Sequence, residues 1–413
     1  MQILWASHLI PYPPKSGAHL RGYHLLKAVA SRHEVDLVAF VQEAWLRVFY
    51  PTRQEALSEC AHELGKFCRS VRFLEIESAS RPGGKWRTAA AGLVLPASYT
   101  VRWLDGAGGR RVFADAARAT RYAVAHFDTI GLAPYRPLLA GVPATLGHHN
   151  VESHMMLRRA ENERQPLRRL YYLQEAWRVR GYERHTAPQF AAHITCSDLD
   201  AERLRAIAPR ARVITIPNGV DTDYFRPTGK VATRRSLVFV GSLNWYPNVS
   251  AVEFLLREIW PPLKRAAPDL TLDLVGSAPP AAIRALAAAL PDVTVHGFVD
   301  DVRPFMEQAL LYVCPIRDGG GTKLKLLDAF AMEKCVVAHP IACEGIAVLP
   351  GKEVELAESA AAFVAAIQEL LAQPERRVSL GRAARELVLA RYGFAEIGRR
   401  LCDVFESLGT SAV

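Results

Sequence analysis

The stretch "RDGGGTKLKLLDAFAM", residues 317–332, follows an apolar run at 310–315 and precedes a second one at 335–338. Three consecutive glycines can turn the end of a strand sharply and bring bare backbone N–H groups close to a ligand. Thr322 is placed to cap a helix that runs through 326–332. The stretch therefore predicts a strand, a glycine loop, a helix and a second strand, which is the connection found in parallel α/β sheets.

The same stretch is suited to an anionic ligand, because a helix N-terminus attracts anions and most often phosphate. On a helix, Thr322, Lys325 and Asp328 follow one another at three-residue steps and share roughly one face. Amides and an ammonium group suit phosphate, and a carboxylate one turn deeper suits hydroxyls, so the combination indicates a nucleotide-sugar site. A second interpretation is that the glycines only form a tight turn and that Asp328 is a solvated helix residue.

Outward from this stretch, short strand-like runs alternate with longer helical patterns. In the first half, "QILWAS", "GAHLRGYHLLKAVASR" and "EVDLVAFV" predict a βαβ unit, and the alternation recurs after residue 235. Two such blocks predict an α/β fold of two doubly wound domains, divided at the polar and basic segment 225–236. Because ligands of such sheets bind beyond the carboxyl ends of the strands, facing domains would share one interdomain cleft.

Composition narrows the class of protein and of partner. The 413 residues are too many for one core, so two domains are expected. The net charge of +9 suits a phosphorylated small molecule, an anionic membrane or nucleic acid, but no nucleic-acid motif appears. Seven scattered cysteines are typical of reduced core residues in a cytoplasmic protein. The N-terminal apolar run is too short for a signal peptide, and no other run is long enough to cross a membrane.

Residues 151–190 form a polar, arginine-rich helical region that includes Arg158, Arg159, Arg164, Arg168 and Arg169. One interpretation is a solvated pair of surface helices. The other is a basic face for phosphate or anionic lipid. The stretch 86–104, apolar between arginines, is either core or an interfacial insertion.

Five motifs in order carry a family resemblance: "PPKSGAHLR", "HHNVES", "VITIPNGVDTDYF", "VFVGSL" and "GGGTKLKLLDAFAMEKCVVA". Together they resemble the GT-B retaining glycosyltransferases of family GT4, in the branch of bacterial exopolysaccharide and surface-glycan sugar transferases. The resemblance covers essentially the whole chain. It implies an acceptor-binding Rossmann-like domain at 1–228 and a nucleotide-sugar-binding one at 229–390, with a last helix within 391–413 that packs back on the first.

In the first domain, the resemblance implies that a loop at Ser16 and Gly17 approaches the donor diphosphate. It places His149 over the donor sugar as a catalytic residue, although a packed core histidine is the alternative. Glu152 is expected either to contact the acceptor or donor, or only to begin the next helix as a favourable first-turn acid.

In the second domain, the resemblance implies that Gly320, Gly321 and Thr322 give amides to the diphosphate and that Lys325 is a catalytic cation. Asp328 stands where the family usually has a glutamate bonded to the ribose hydroxyls. Further residues expected to line the donor site are Gly241, Ser242, Phe298, Val299 and Lys323, with the base beside residues 296–299.

The chain departs from the family pattern at two places. Eight residues before Asp328, where many relatives have an acid, stands Gly320, and Asp318 is out of register. The segment "SLNWYPNVS", residues 242–250, has no basic residue where many relatives clamp the diphosphate. Lys323 and Lys325 are the substitutes, because a departing diphosphate needs cationic neutralisation. The missing acid disfavours a double displacement and favours front-face attack.

The resemblance thus implies a retaining enzyme that moves a sugar from a UDP- or GDP-sugar to a hydroxyl of a glycan, lipid-linked or small-molecule acceptor. No metal or other cofactor is expected to be required if the helix amides and Lys325 carry the charge, since no Asp-x-Asp motif that would hold a metal at the donor is evident. We expect a cytoplasmic protein, and peripheral contact at an anionic inner membrane is one of the two interpretations of its arginine-rich region. Two other functions remain open: a GT-B nucleotide-sugar epimerase and a non-catalytic, glycan-binding subunit.

Overall fold

The structure is a computed structural model that describes residues 1–80, 98–163, 165–229, 234–319 and 322–410. The chain divides into two compact units, Met1–Pro217 with the segment from Ile397 onward, and Asn218–Glu396. The division lies ahead of the polar segment 225–236. Val220 already belongs to the second unit, because its N–H donates to the Tyr392 carbonyl at 2.8 Å.

The first unit is built on a seven-stranded, all-parallel sheet. The strand order is β3-β2-β1-β4-β5-β6-β7, so the direction of winding reverses between β1 and β4. Ligands of such sheets bind outside the carboxyl ends of the strands at this reversal. The strands are β1 Gln2–Ser7, β2 Glu34–Phe40, β3 Ser70–Leu74, β4 Val124–Phe127, β5 Ala144–His148, β6 Ala192–Thr195 and β7 Val213–Thr215.

Helices cover this sheet because its strands are apolar on both faces. The last helix, Phe394–Thr410, contributes Ile397, Leu401 and Phe405 to the core that contains Trp5 of β1. The other helices are Gly17–Ala30, Glu43–Leu46, Arg53–Gly65, Glu77–Ser80, Tyr99–Arg102, Ala107–Ala119, Glu152–Asn162, Pro166–Thr186 and Asp198–Ile207, with 3₁₀ helices at Ile130–Leu139 and Ala187–Gln189.

The second unit repeats the arrangement with six parallel strands in the order β10-β9-β8-β11-β12-β13. Its winding reverses between β8 and β11, the strand that leads into the glycine loop. The strands are β8 Ser236–Val240, β9 Thr271–Val275, β10 Val293–Gly297, β11 Leu311–Cys314, β12 Cys335–Ala338 and β13 Glu355–Leu356.

The helices of the second unit enclose one large core that contains Phe239, Trp260 and Phe330. One π-helical turn, Leu255–Ile259, joins the α-helices Tyr246–Phe254 and Trp260–Ala266. The α-helices are Tyr246–Phe254, Trp260–Ala266, Ala281–Ala288, Arg303–Gln308, Leu324–Ala331, Ala360–Ala372 and Pro374–Arg391, and a 3₁₀ helix spans Pro340–Cys343.

The predicted α/β fold of two doubly wound sheets is confirmed. All seven cysteines are buried free thiols. Within the described parts of the chain, no helix combines the length and the apolar character needed to cross a membrane. Arg164 and most of the stretch 86–104 lie outside the described residues, so the interpretations placed on them stay predictions.

Candidate active site

The loop after β11 requires glycine at Gly319. Its φ of +95° lies in the left-handed region, and a Cβ added there would be 3.0 Å from Cγ of Pro247. The loop therefore packs closely against the start of the helix that follows β8. The two predicted phosphate-binding glycines, Gly320 and Gly321, lie outside the described residues.

The prediction that Thr322 caps the next helix is wrong. The helix Leu324–Ala331 has Lys323 at its N-cap position and no side-chain cap. Thr322 precedes that position, and its buried Oγ1 has no hydrogen-bond partner within the described part of the chain. Lys323 instead folds back, and its Nζ donates to the Gly319 carbonyl at 2.8 Å.

Lys325 reaches from this helix to the loop after β8. Its ammonium donates to Oδ1 of Asn248, and Nδ2 of Asn248 donates to the Ser242 carbonyl at 2.7 Å. The Lys325 Nζ lies 5.3 Å from the centre of the Phe239 ring. A Cβ added at Gly241 would be 2.6 Å from that Nζ. The fold thus brings a cation to the segment 242–250, which contains none in its sequence.

Burial sets the protonation of this cluster. It lowers the pKa of Lys325 to about 8, partly opposed by Cys314 and Asp328. It raises the pKa of Asp328 to about 7, opposed by the Lys325 charge. At neutral pH Lys325 is therefore mostly charged, while Asp328 binds a proton far more readily than an exposed aspartate. An anionic ligand would favour the charged lysine.

The other donor-site residues predicted for the second unit lie on loops that follow neighbouring strands. The Ser242 and Ser277 hydroxyls lie 2.9 Å apart and join the loops after β8 and β9. The Gly276 N–H donates to the Gly297 carbonyl at 2.9 Å and joins the loop after β9 to the end of β10. Phe298, next in the chain, is exposed, whereas Val299 packs against the core.

In the first unit, Asp128 lies at the reversal of the sheet, directly after β4. Its carboxylate accepts hydrogen bonds from the Ser7 hydroxyl at 2.8 Å and from the His8 backbone N–H at 2.9 Å. The ring nitrogen Nδ1 of His8 lies 3.0 Å from Oδ2 of the same carboxylate. Because His8 follows β1, the two strands that flank the reversal meet in one histidine–carboxylate pair.

His149 follows β5 and completes this cluster. Its ring centre lies 5.3 Å from that of His8. His8, Asp128 and His149 each offer one atom of a type that ligates metals, and these atoms lie within 4.8 Å of one another. A cavity of about 20 Å³, enough for one water molecule, is lined by residues that include Arg21, Asp128 and His149.

The pKa values of the three groups shift in different directions. Burial alone would raise the pKa of Asp128, but the charge and hydrogen bond of His8 lower it to about 2. Burial opposes protonation of His8, yet Asp128 raises the His8 pKa above its ordinary value. Burial, and then the charge of His8, lower the pKa of His149 to about 3. His149 is therefore a neutral ring beside the hydrogen-bonded pair of His8 and Asp128.

Glu152 and Gly17 both open helices in the first unit. Glu152 is the first residue of Glu152–Asn162, and burial next to Glu183 raises its pKa to about 7. Gly17 is the first residue of Gly17–Ala30, with Ser16 at the N-cap position. The Ser16 hydroxyl lies 2.7 Å from a ring nitrogen of the next histidine, so it does not cap the helix.

Sequence reasoning missed His8, Asp128 and Asn248. His8 and Asp128 each follow a strand, and polar residues at such positions are candidates once the reversal point is known. The order of strands in the sheet supplies that knowledge, and it is not written in residue spacing. Nothing in the sequence marks Asn248 as a site residue, since one asparagine in a helix is ordinary.

Comparison with known proteins agrees with this geometry. Residues 234–373 match the family model described as glycosyl transferases group 1. No curated protein matches the sequence of this chain. Among solved structures, sucrose-phosphate synthase from Thermosynechococcus elongatus is similar at 17% identity, with a TM-score of 0.70 and complete coverage (100%) of both chains.

Two other solved structures have the same fold. A glycosyltransferase from Rickettsia africae is 12% identical, with a TM-score of 0.67 and 98% of each chain covered. The Anabaena protein HepE in complex with UDP is 14% identical, with a TM-score of 0.65 and coverage of 98% of this chain and 100% of that one. These likenesses show two Rossmann-like domains of the GT-B type. Together with the matched group 1 segment, they support a glycosyltransferase enzyme.

Proposed function

We propose that the protein moves a sugar from a nucleotide diphosphate sugar, with UDP or GDP as the nucleotide, to a hydroxyl acceptor with retention at the anomeric carbon. The observation that carries this proposal is the position of Lys325, held by Asn248 against Gly241 at the carboxyl edge of the second sheet. The Anabaena HepE structures in complex with UDP and with UDP-glucose support a nucleotide-sugar donor. The acceptor is a glycan, a lipid-linked molecule or a small molecule.

The second unit is assigned the nucleotide. The start of the helix Leu324–Ala331 gives backbone N–H groups for the diphosphate, and Lys325 adds the charge. Asp328 lies one turn further along the helix and is assigned to the ribose hydroxyls. The exposed ring of Phe298 follows β10 and is assigned to the base.

Charge on the leaving group decides the chemistry at this end. When the bond between the anomeric carbon and the phosphate oxygen breaks, its electron pair stays on the diphosphate. A half-buried ammonium stabilises that charge more than a solvated one would, because the surroundings are less polar than water. The proposal therefore requires no metal ion.

His149 is assigned to the donor sugar as a hydrogen-bonding group. A ring whose pKa is about 3 is a weak base, so it is poorly suited to take a proton from the acceptor. We assign that proton to the departing phosphate oxygen, with attack from the face that the leaving group vacates. This route gives retention without a carboxylate nucleophile, and the family position for one is Gly320 in this chain.

A panel of UDP-, GDP- and dTDP-sugars tests the proposal and separates it from the epimerase and the binding subunit. Slow hydrolysis of one donor, with release of its nucleoside diphosphate, supports the transferase. Inversion at a carbon of the intact donor sugar supports the epimerase. Binding without turnover, measured by calorimetry, supports the non-catalytic subunit and contradicts the proposal.

We also propose a narrower family and a cellular location for the protein. The five sequence motifs favour family GT4 and the exopolysaccharide or surface-glycan branch, which implies polysaccharide biosynthesis. We assign the protein to the cytoplasm, with peripheral contact at an anionic inner membrane. The support for that contact is the run of arginines that includes Arg158, Arg159, Arg168 and Arg169.

A further inference from the structure

The helix Pro166–Thr186 buries two carboxylates and exposes large apolar side chains, the reverse of an ordinary surface helix. Its buried face includes Glu175 and Glu183, which are 3% and 2% exposed. Its outer face carries large apolar side chains: Leu167 is 84% exposed, Leu170 64%, Leu173 40% and Trp177 76%. Spacings of three and four residues place these four side chains on one stripe of the helix.

Specific contacts hold the helix in this orientation. Glu183 accepts from the Ser153 hydroxyl at 2.5 Å and from the Ser153 N–H at 3.3 Å. Glu175 accepts from the Thr100 N–H at 3.2 Å. Both carboxylates are buried and hydrogen-bonded. Rotation of the helix to bury the leucines would break these bonds and would expose the apolar residues that now face the core. The exposed stripe is therefore a fixed feature of the first unit.

The exposed charges on the helix itself have one sign. The sequence of the helix contains five arginines and only two acids, Glu175 and Glu183, which both face inward. Arg168 and Arg169 stand between Leu167 and Leu170 in the sequence, and both are exposed. Leucines and a tryptophan flanked by arginines match the surface of an anionic bilayer, which offers acyl chains beneath phosphate headgroups.

We propose that this stripe, Leu167, Leu170, Leu173 and Trp177 with its flanking arginines, docks the protein on an anionic lipid bilayer. The apolar side chains enter the boundary between headgroups and acyl chains, and the arginines contact the lipid phosphates. Two residues separate His149 from the start of the preceding helix Glu152–Asn162. On the proposed function, on which this consequence rests, docking favours a lipid-borne acceptor over a soluble one.

Vesicle sedimentation tests the apolar part. The variant L167Q/L170Q/W177Q is compared with V378Q/L389Q, which changes exposed apolar residues on the helix Pro374–Arg391 of the second unit. With vesicles of phosphatidylcholine and phosphatidylglycerol at low salt, we expect the triple variant to bind on the order of tenfold more weakly. The control is expected to bind like the wild type. Equal binding of the triple variant and the wild type, or no binding by the wild type, overturns the proposal.

The arginine part has its own comparison. R168Q/R169Q is expected to lose the preference for anionic over pure phosphatidylcholine vesicles, whereas R284Q/R382Q is expected to keep it. Binding of the wild type is expected to fall as salt rises, since surface charges are screened. Equal binding of the wild type to both kinds of vesicle would overturn the role of the arginines.

Two measurements separate this proposal from its rivals. Analytical ultracentrifugation without lipid shows whether the stripe instead joins two copies of the chain. If the wild type is a dimer and the triple variant is a monomer, membrane docking is overturned. Donor hydrolysis in vesicle-free buffer is expected to be the same in the triple variant and the wild type. Vesicle binding by a wild type that hydrolyses no nucleotide sugar leaves the docking surface standing and contradicts the proposed function.

Discussion

The two units of this protein share the order of their first six strands and carry different chemistry at the same place. Each sheet reverses its winding beside its first strand, β1 in one unit and β8 in the other. In the first unit that edge holds a histidine–carboxylate pair next to a neutral histidine. In the second unit that edge holds Lys325, whose ammonium packs against Gly241. Topology therefore fixes where a ligand can bind, and the side chains fix which ligand it is.

The strongest test of this contrast is Lys325→Ala. If Lys325 neutralises the departing diphosphate, turnover should fall by about 10²- to 10³-fold. Binding of UDP or GDP should weaken by about 1.5–3 kcal/mol, because a charge-assisted hydrogen bond is lost. Enzyme kinetics and calorimetry measure the two effects. Lys352→Ala, an exposed lysine of the same unit, is the control, and equal results for both variants would remove the phosphate role.

Asp128→Asn tests the ion pair of the first unit. The asparagine keeps a partner for the Ser7 hydroxyl and loses the charge, so the free energy of unfolding at pH 7 should fall by about 1.5–3 kcal/mol. The pKa of His8 should fall too, which histidine NMR measures. Asp115→Asn, at an exposed surface pair, is the matched control. An unchanged urea midpoint with an unchanged His8 pKa would mean that the pair is not coupled.

Acid should weaken the same pair in a predictable range. The pKa of Asp128 in the folded state is about 2, below its ordinary 3.8. Its stabilising contribution is therefore present above the ordinary value and lost as the pH falls toward 2. The difference in unfolding free energy between the wild type and Asp128→Asn should shrink over that range. A difference that stays constant down to pH 2 contradicts the assignment.

Gly241→Ala sharpens the second cluster without removing a charge. The added Cβ would stand 2.6 Å from the Lys325 Nζ, so the ammonium must move. We expect UDP or GDP binding to weaken about tenfold, less than for removal of the lysine. Gly65→Ala, where no atom lies within 4 Å of the added Cβ, is the control. Wild-type affinity in Gly241→Ala would show that the position of the ammonium is not critical.

The pH dependence of nucleotide binding gives a smaller effect. Burial lowers the pKa of Lys325 to about 8, so its charge is present below that pH and lost above it. Affinity for UDP or GDP should decline as the pH rises past 8. Calorimetry across pH 6.5–9.5 measures this decline, which Lys325→Ala should lack. The same slope in that variant would assign the proton to another group.

The smallest expected effect concerns the sugar of the nucleotide. If Asp328 bonds a ribose hydroxyl, Asp328→Asn should weaken binding of a ribonucleotide by about 0.5–1.5 kcal/mol more than binding of its 2′-deoxy analogue. Calorimetry with UDP and 2′-deoxy-UDP gives both numbers. Equal losses would mean that Asp328 has a structural role.

Much of the fold and part of the site could be predicted from the sequence. The runs at 2–7, 17–32 and 34–41 anticipate β1, the first helix and β2 within two residues, because local apolar pattern decides such elements. The need for glycine in the loop after β11 was also predicted. The cap at Thr322 was not correct, because the helix begins two residues beyond it.

The sequence by itself determined two α/β units, the glycine loop and Lys325 and Asp328 on the helix after it, since these depend on near neighbours in the chain. Only the tertiary structure decided that His8 meets Asp128, 120 residues away, and that Lys325 meets Asn248, 77 residues away. Only the structure turned Glu175 inward and left Trp177 outside. The physical reason is that strand order and helix orientation follow from burial summed over the whole unit, which spacing along the chain does not record.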